Sequence, residues 1–305
     1  MVERIFSEWH EKHTRLWGKQ PLRFKHTLHT SELFSLETLA ALIDRYPREH
    51  YSLMSVGARN ERRLWAENSR EEMSGAQIIA AICKGRFWLN LRRTNDIDPR
   101  YAEFLDQMFE EIGGRIKDQD GFPMRSLGIL ISSPTAHVYY HADLPNQSLW
   151  QIRGRKRVYI YPPADPFITG EDLERISIQE VEVDMPYFDW YDEHAAVFEL
   201  VAGEMLHWPL NAPHRVENLG ELNISVSTEY WSTESSRRYR LNMANGALRH
   251  ILKLAPRGRA TSGPAFIAKS LLWSAVSRTG WLERVRARRR ADALRSEYVE
   301  LADRG

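Results

Sequence analysis

Two histidines and an aspartate occur at a spacing that suits a metal site. His141 and Asp143 are two residues apart in the run YYHAD, so on a strand or strand end both side chains point to the same side. His214 follows 71 residues after Asp143, just before a β-like run, and can supply a third ligand from a neighbouring strand. Two imidazoles and one carboxylate leave the opposite face of a metal open, which is typical of non-haem Fe(II) sites. The alternative for the first pair is a surface histidine followed by a turn-forming aspartate.

The elements that must position these residues lie between about Leu127 and Trp231. Short β-like runs such as LGILISS, KRVYIYPP and LNISVSTEYW are separated there by Pro, Gly and Asn, a pattern typical of an antiparallel sandwich or barrel. We therefore expect three regions. They are an N-terminal α/β segment (1–125) that packs on the core, a β-rich catalytic core (126–232) and a basic C-terminal helical region (233–305).

The flanking regions show alternating strand and helix patterns. Before the core, we expect strands at Leu22–Leu28, Tyr51–Val56 and Arg86–Arg92, and helices at Ser35–Tyr46, Ser74–Lys84 and Asp98–Ile116. After the core, the sequence predicts helices over 235–254 and 265–301, separated by a Pro/Gly/Ser-containing break.

The motifs of the core, taken in order, resemble a known family. They are HAD at 141–143, QIRGRKRVYIYPP at 151–163, GEMLHWP at 203–209, His214, and the pair Tyr230-Trp231. Across roughly 125–232 this series is similar to the JmjC/cupin-like Fe(II)- and 2-oxoglutarate-dependent oxygenases. It is most similar to the branch containing bacterial cupin-like proteins and the asparaginyl hydroxylase that inhibits hypoxia-inducible factor. The resemblance implies a mostly β protein, with a double-stranded β-helix (jelly-roll) core, an N-terminal α/β extension and C-terminal helices.

The resemblance also implies roles for individual residues. His141, Asp143 and His214 match the metal ligands of the family. Lys156 matches the lysine that pairs with the distal carboxylate of 2-oxoglutarate. Physical chemistry agrees, because a dicarboxylate in an apolar barrel needs a fixed cation. On a strand, Arg157 faces the side opposite to Lys156, so the lysine can point inward while the arginine faces out.

Three further residues are expected to contact 2-oxoglutarate. Gln147 occupies the position of a family asparagine. Tyr139, or its neighbour Tyr140, offers a hydroxyl in place of the family threonine, which is Val138 in this chain. Thr228 lies beside Glu229, which replaces a second family asparagine.

The activity implied by the resemblance is oxidation of an unidentified substrate, either a protein side chain or a small molecule. Hydroxylation, or demethylation, consumes 2-oxoglutarate and O₂ and gives succinate and CO₂ as co-products. Val138, Gln147 and Glu229 keep a second interpretation open. In that interpretation the protein is a metal-binding cupin-like sensor or structural protein that does not turn over 2-oxoglutarate.

Charge is unevenly distributed along the chain. Residues 235–305 contain 16 Lys and Arg but only 5 Asp and Glu, whereas the formal net charge of the whole chain is +1. A basic tail suits an acidic face of the protein's own body, a membrane surface or nucleic acid, although no nucleic-acid-binding motif is visible in the sequence. The family resemblance implies, in addition, a homodimer formed through the C-terminal helices.

The sequence also carries expectations about location. The first residues are charged and lack the apolar region of a secretory signal, and no stretch of about 18 uninterrupted apolar residues occurs. The single cysteine, Cys83, excludes an intramolecular disulfide. These features predict a cytoplasmic protein without a transmembrane segment.

Two expectations concern the surroundings of the site. His207 is interpreted as a pocket-wall or core residue, and His137 as a neighbour of the metal ligands. The acidic and aromatic segment between Pro163 and Val197, which includes Asp184, is interpreted either as a lid over the site or as a surface loop packed by its own aromatic residues.

Overall fold

The computed structural model of the chain describes residues 4–55, 73–85, 87–116, 121–179 and 185–288. The strands in these ranges are β1 (Phe6–Glu8), β2 (Leu22–His26), β3 (Tyr51–Ser55), β4 (Phe87–Leu91), β5 (Ser126–Ser132), β6 (His137–His141), β7 (Asn146–Arg153), β8 (Lys156–Ile160), β9 (Ala196–Leu200), β10 (Glu204–His207), β11 (His214–Asn218) and β12 (Asn223–Tyr230). The α-helices are α1 (Glu11–Leu16), α2 (Leu36–Asp44), α3 (Gly75–Lys84), α4 (Thr94–Ile97), α5 (Pro99–Gly113), α6 (Gly170–Gln179), α7 (Thr233–Leu252) and α8 (Gly263–Ser277). Short 3₁₀ helices occur at Leu28–Thr30, Glu32–Phe34, Arg48–His50 and Asp189–His194.

The strands form two antiparallel sheets. The larger sheet has eight strands in the order β1-β2-β10-β7-β12-β5-β4-β3, and the smaller has four in the order β6-β11-β8-β9. Consecutive strands alternate between the two sheets from β5 to β8 and again from β9 to β12. This arrangement, together with the flanking helices, confirms the jelly-roll core expected from the sequence.

Residues of the first 125 positions extend the larger sheet at both edges. β2 pairs with β10 on one side, and β4 pairs with β5 on the other. The strand predicted at Leu22–Leu28 ends at His26, where the chain enters a 3₁₀ helix. The strands predicted at Tyr51–Val56 and Arg86–Arg92 are present as β3 and β4, and Val56 and Arg86 lie outside the described residues.

Alternation along the strands divides the core into two layers. On β7, Leu149 packs between the two sheets with Leu206 and Val216. Its neighbour Trp150 points to the other face of the larger sheet, where it is completely buried against Phe6 and His26. This is the two-residue period of a strand that is buried on both faces.

The helix predicted from Asp98 to Ile116 is observed as α5. Asp98 is its N-cap and accepts a hydrogen bond from the backbone N–H of Arg100, and Pro99 occupies the first turn. Its buried side chains recur every three or four residues and pack on the larger sheet; they are Tyr101, Phe104, Leu105, Met108, Phe109 and Ile112. α5 thereby closes the sheet face opposite to the cavity described below.

The C-terminal region is helical, as expected, but the second predicted helix is interrupted. α8 ends at Ser277, and helix resumes over 281–288 after a turn in which Gly280 has φ +66. The rest of the predicted helix, 289–301, lies outside the described residues. None of the helices that the structure describes has the length and apolar character needed to span a membrane.

Several arginines of the basic region contact the body of the protein. Arg249 and Arg259 both pair with Glu174 of α6, whose carboxylate is buried between them. Arg286 donates hydrogen bonds to the carbonyl groups of Ile178 and Ser177 at the end of the same helix. Several basic side chains of the C-terminal region therefore bind acidic and carbonyl groups of α6 in the same chain.

Candidate functional site

The structure brings together the three residues expected to bind a metal. His141 is the last residue of β6 and lies opposite His214, the first residue of β11, in the antiparallel register of these strands. Asp143 follows β6 by two residues. One ligand atom from each of the three side chains lies within 4.8 Å of the others, and Nε2 of His214 is 3.3 Å from Oδ2 of Asp143.

Hydrogen bonds to backbone carbonyl groups orient both imidazoles. Nδ1 of His141 donates to the carbonyl of Tyr139 at 2.7 Å, and Nδ1 of His214 donates to the carbonyl of Ala212 at 3.1 Å. Because a carbonyl only accepts, each Nδ1 carries the proton and each Nε2 presents a lone pair. Burial lowers the pKa of His214 to about 4, and His141 contributes in the same direction. The ring is therefore neutral near pH 7, which is the form that binds metals.

The aspartate also has the character of a ligand. Oδ2 of Asp143 is buried and has no hydrogen-bond partner, an arrangement that a cation would satisfy. Nδ2 of Asn211 donates to the backbone carbonyl of Asp143 at 2.7 Å and holds that segment in place. Asn211 itself has φ +61, a conformation that asparagine tolerates better than most residues. Two imidazole nitrogens and one carboxylate oxygen fit a divalent first-row transition metal.

The three residues open into a cavity of about 170 Å³ between the two sheets. Besides them, the cavity is lined by Trp88, Asn90, Leu130, Ser132, Ala136, His137, Val138, Gln147, Leu149, Lys156, Trp208, Val216, Asn218, Ser227 and Glu229. Apolar walls on both sheets thus surround a small number of polar groups, as in many small-molecule sites.

Lys156 points into this cavity, as predicted. It is 4% exposed, whereas Arg157 beside it pairs with Glu199 on the outer surface. The chain reverses direction between β7 and β8 in a tight turn at Gly154. At this glycine φ is +77, and a Cβ atom would lie 2.5 Å from the carbonyl oxygen of Leu222. No ion pair in the described part of the chain includes Lys156, and burial lowers its pKa to about 7.

Lys156 and the metal ligands occupy opposite ends of the small sheet. In the register of β8 with β11, Lys156 lies opposite Asn218, and His214 lies opposite Ile160. Four residues of strand correspond to about 13 Å between Cα atoms. Lys156 and the three metal-ligand candidates nevertheless line the same cavity, so its two ends present a cation and a possible metal site.

The other three residues predicted to contact 2-oxoglutarate have different positions. Gln147 lines the cavity. Thr228 does not: it lies on the far face of the larger sheet, where its hydroxyl accepts a hydrogen bond from the indole of Trp150 at 2.9 Å. Because side chains alternate along β12, Ser227 and Glu229 face the cavity instead. This corrects the expectation for Thr228.

Tyr139 is also absent from the residues that line the cavity. Its ring contacts His137, and its contribution to the site is the carbonyl group that orients His141. The register of β6 with β11 shifts between the pairs His141–His214 and Val138–Val216, so that Val138 and His141 both line the cavity although they are three residues apart. The phenol expected at the co-substrate therefore lies elsewhere.

Glu229 and Gln147 form a polar pair beside the metal ligands. Nε2 of Gln147 donates to Oε1 of Glu229 at 3.2 Å, and Oγ of Ser126 donates to Oε2 at 3.3 Å. Burial raises the pKa of Glu229, and the nearby carboxylate of Asp143 raises it further. Gln147 and Glu229, which both differ from the residues expected in the family, are thus hydrogen-bonded to each other.

Among the residues of the cavity wall that sequence reasoning missed, Trp88 and Asn90 come from outside the core motifs. Both come from β4, far before the core motifs, and reach the cavity because β4 pairs with β5. The only available signal was alternation on β4, where Leu89 and Leu91 are completely buried on the opposite face. Nothing in the sequence indicated which strand β4 would join.

His207 is a core residue, as one of its two interpretations held. It is completely buried and stacks on Trp17, with the ring centroids 3.8 Å apart, on the sheet face away from the cavity. Burial lowers its pKa to about 3. Neutral His207 therefore serves as an aromatic packing group.

The segment between Pro163 and Val197 packs mainly on its own aromatic residues. Tyr191 is buried against Phe167 and Tyr187, and none of the described residues of this segment lines the cavity. The lid interpretation therefore finds no support in the described residues, and Asp184 lies outside them.

Arg215 ties this segment to the strand that carries His214. Its guanidinium group pairs with Asp192 of the 3₁₀ helix and with Glu217, and it lies over the ring of Tyr159 at 3.4 Å from the centroid. The hydroxyl groups of Tyr161 and Tyr187 donate to the same Asp192 carboxylate. The segment is thus held by a network of charged and hydrogen-bonded groups.

We expect Arg215→Met to lower the free energy of unfolding by about 2–4 kcal/mol, because it removes the largely buried cation that pairs with Asp192. Chemical denaturation of the metal-free protein measures this. Arg157→Met is the matched control, since its partner Glu199 is on the surface, and it should have little effect. Equal stability of the Arg215 and Arg157 variants would contradict the prediction.

Comparisons with known proteins agree with this architecture. The profile of the cupin-like domain family matches residues 68–237, more than half of the chain. The chain also resembles Escherichia coli ribosomal oxygenase YcfD, with 16% identity over 90% of this chain and 68% of that chain and a TM-score of 0.52. A structure of the same oxygenase in complex with cobalt and 2-oxoglutarate has 16% identity, coverage of 89% and 67%, and a TM-score of 0.51.

These two structural likenesses, at such low identity, concern the fold. No curated protein sequence matches the chain. The family match covers the strands and loops that carry His141, Asp143 and His214. The chain therefore belongs to the cupin-like domain family, in agreement with the JmjC/cupin-like motifs of its sequence.

Proposed function

We propose that this protein is an Fe(II)- and 2-oxoglutarate-dependent oxygenase that hydroxylates its substrate. The observation that carries the proposal is the buried ammonium group of Lys156, which forms no ion pair with any of the described residues and lies in the same cavity as His141, Asp143 and His214. A metal site alone suits many cupins. A buried cation without a counter-charge, at the far end of the cavity, calls in addition for an anionic ligand.

Each group of the cavity has a role in this activity. His141, Asp143 and His214 hold the metal on one face and leave the other open. Bound iron and 2-oxoglutarate together supply the oxidising chemistry, with succinate and CO₂ as co-products. Lys156 binds the distal carboxylate of the co-substrate, and Leu149 and Val216 exclude water from its methylene groups. The likeness in fold to an oxygenase that has been studied with cobalt and 2-oxoglutarate supports the proposal.

An anaerobic titration tests the proposal. The metal-free protein is titrated with Fe(II) and then with 2-oxoglutarate, and the visible charge-transfer band of the chelate is recorded. We expect a band, and slow formation of succinate when air is admitted without a substrate. Iron binding without a band would favour the metal-binding sensor or structural protein, because it would mean that Val138, Gln147 and Glu229 do not support the co-substrate.

We also infer that the protein is a homodimer that pairs through α8. This helix of 15 residues contains no buried residue and has Lys269 as its only charged side chain, and Ile267 and Leu271 are 59% and 66% exposed. Leu252 and Leu254, at and just after the end of α7, add to the exposed apolar surface. A helix that is apolar on all sides is normally buried, and a second copy of the same helix is the simplest cover.

We expect light scattering at micromolar concentration to give twice the mass of the 35.6 kDa chain. Leu271→Glu should shift the protein to monomer without loss of the Fe(II)–2-oxoglutarate band, because a charge is costly in an apolar interface. Arg284→Glu, also in the C-terminal region, is the control and should leave the dimer intact. A monomeric wild-type protein would contradict the inference.

A further inference from the structure

Trp88 lies at the end of the cavity that carries Lys156. It is the partner of Ser132 in the register of β4 with β5. Nδ2 of Asn218 donates to the hydroxyl group of Ser132 at 2.8 Å, and Asn218 is in turn the partner of Lys156 in the register of β8 with β11. The side chains of Trp88 and Lys156 both line the cavity. The larger sheet therefore places an indole at the end where the smaller sheet places the lysine.

The metal-ligand candidates lie away from this end. His214 is the partner of Ile160, four residues from Lys156 along β8. In the proposed function, the 2-oxo acid is held at the metal through one end of its carbon chain, and Lys156 binds the distal carboxylate. The chain of the acid therefore extends toward Trp88, and each added methylene group brings the distal carboxylate closer to the indole.

The backbone that carries Trp88 is held firmly in the sheet. β4 pairs with β3 on one side and with β5 on the other. Just before Trp88, the N–H of Phe87 donates to Oγ of Ser133 at 2.7 Å, and the carbonyl group of Phe87 accepts from the N–H of Ser133 at 2.9 Å. Just after it, Leu89 is completely buried on the opposite face of the sheet. A longer ligand therefore cannot push the strand outward without breaking these contacts.

The lysine end of the cavity is fixed from the other side as well. Besides its bond to Ser132, Nδ2 of Asn218 donates to the carbonyl group of Ser133 at 2.7 Å, and the backbone N–H of Asn218 donates to the carbonyl group of Ala136 at 2.9 Å. The cavity as a whole holds about 170 Å³. Forcing one extra methylene group into a filled, rigid site displaces side chains from their preferred positions and weakens binding.

We propose that Trp88 is the end wall that sets the length of the co-substrate, so that a five-carbon 2-oxo dicarboxylate binds in preference to its six-carbon homologue. This inference rests on the proposed oxygenase function, of which it specifies how the co-substrate is selected. Trp88 acts here by occupying space, and Lys156 supplies the charge. An acid with one more methylene group has to displace the indole or give up its contact with the ammonium group.

Two acids that differ by one methylene group test the proposal. The protein is loaded anaerobically with Fe(II), and the dissociation constants of 2-oxoglutarate and 2-oxoadipate are measured from the charge-transfer band and by calorimetry. We expect the wild-type protein to bind 2-oxoglutarate about 10- to 200-fold more tightly, which is the discrimination that one methylene group provides in a well-formed pocket.

Trp88→Ala should reduce this ratio at least about tenfold, mainly through tighter binding of 2-oxoadipate. Because Trp88 is only partly buried, its removal opens the end of the cavity toward solvent, and the Fe(II) affinity without co-substrate should not change. Trp88→Phe keeps an aromatic ring of smaller size and should give an intermediate ratio. This second variant provides the test if Trp88→Ala does not fold.

Leu130→Ala is the matched control. Leu130 lines the same cavity and is the partner of Asn90 in β4, two residues from Ser132 along β5 and further from the lysine end. Its truncation widens the side of the cavity and leaves the end wall in place. We expect it to weaken the binding of both acids alike, so that the ratio of their affinities is retained.

The outcomes separate the two proposals. A missing band with 2-oxoglutarate in the wild-type protein counts against the oxygenase, and the inference fails with it. With the band present, equal affinities of the wild-type protein for the two acids would overturn the inference alone. An unchanged ratio in Trp88→Ala and Trp88→Phe would overturn the assignment to this residue, and so would an equal loss of preference in Leu130→Ala.

Discussion

Asp143→Ala is expected to abolish Fe(II) binding at micromolar metal and to reduce 2-oxoglutarate turnover to background. Asp143 is the only anion among the three ligands, and its Oδ2 atom is buried without a hydrogen-bond partner. Loss of residues that merely orient a ligand costs about 10- to 100-fold in metal affinity. Loss of the charged ligand itself should cost more than about a hundredfold.

Equilibrium binding of Fe(II) under anaerobic conditions measures this effect, and the charge-transfer band provides a second readout. Asp189→Ala removes an exposed carboxylate from the 3₁₀ helix and should retain both signals. Unchanged iron affinity in Asp143→Ala would show that these three residues are not the metal site, and the oxygenase proposal would fail with them.

The second large effect is expected at Lys156. Lys156→Met should weaken 2-oxoglutarate binding by at least about a hundredfold, because loss of one partner of a buried ion pair costs about 3–5 kcal/mol. Fe(II) binding in the absence of 2-oxoglutarate should be unchanged, since the side chain lies at the other end of the small sheet. Lys25→Met, which changes an exposed side chain of β2, is the surface control.

The lowered pKa of Lys156 predicts how the affinity for 2-oxoglutarate depends on pH. Burial lowers the pKa of Lys156 from its ordinary value of 10.5 to about 7, so the free protein loses this charge as the pH rises above 7. Binding the dianion then requires uptake of a proton, and affinity should fall up to about tenfold per pH unit between pH 7 and 9. This decline should be absent in Lys156→Met, and a pH-independent affinity in the wild-type protein would contradict it.

The contribution of Lys156 to the stability of the ligand-free protein should increase with pH, whereas the affinity for 2-oxoglutarate decreases. A lysine whose pKa is lowered by folding binds fewer protons in the folded state than in the unfolded state between pH 7 and 10.5. The contribution of Lys156 therefore becomes more favourable as the pH rises through that range. Lys156→Met should raise the melting temperature of the ligand-free protein at pH 7, which thermal unfolding measures.

Local spacing accounts for what could be predicted of the site. A His and an Asp two residues apart must share one face of an extended chain, so the pairing of His141 with Asp143 follows from strand geometry alone. The same alternation separates Lys156 from the arginines around it. The positions of Tyr139 and Thr228 could not be obtained in this way. A register shift between β6 and β11 decides which side chains of β6 face the cavity. The pairing of β12 with β7 decides that Thr228 faces away from it.

By itself, the sequence indicated an antiparallel β core, the three metal-ligand candidates and a lysine that can point inward. Alternation within a few residues accounts for the pairing of His141 with Asp143 and for the direction of Lys156, whereas the jelly-roll class and the matching of His214 to a metal ligand were implied by the resemblance of the ordered motifs to a known family. Only the tertiary structure decided that β4 brings Trp88 and Asn90 to the cavity, and that Glu229 meets Gln147 and Ser126 at its metal-bearing end. These contacts join residues about 40 to more than 100 positions apart, and their partners depend on strand order, which short-range patterns do not encode.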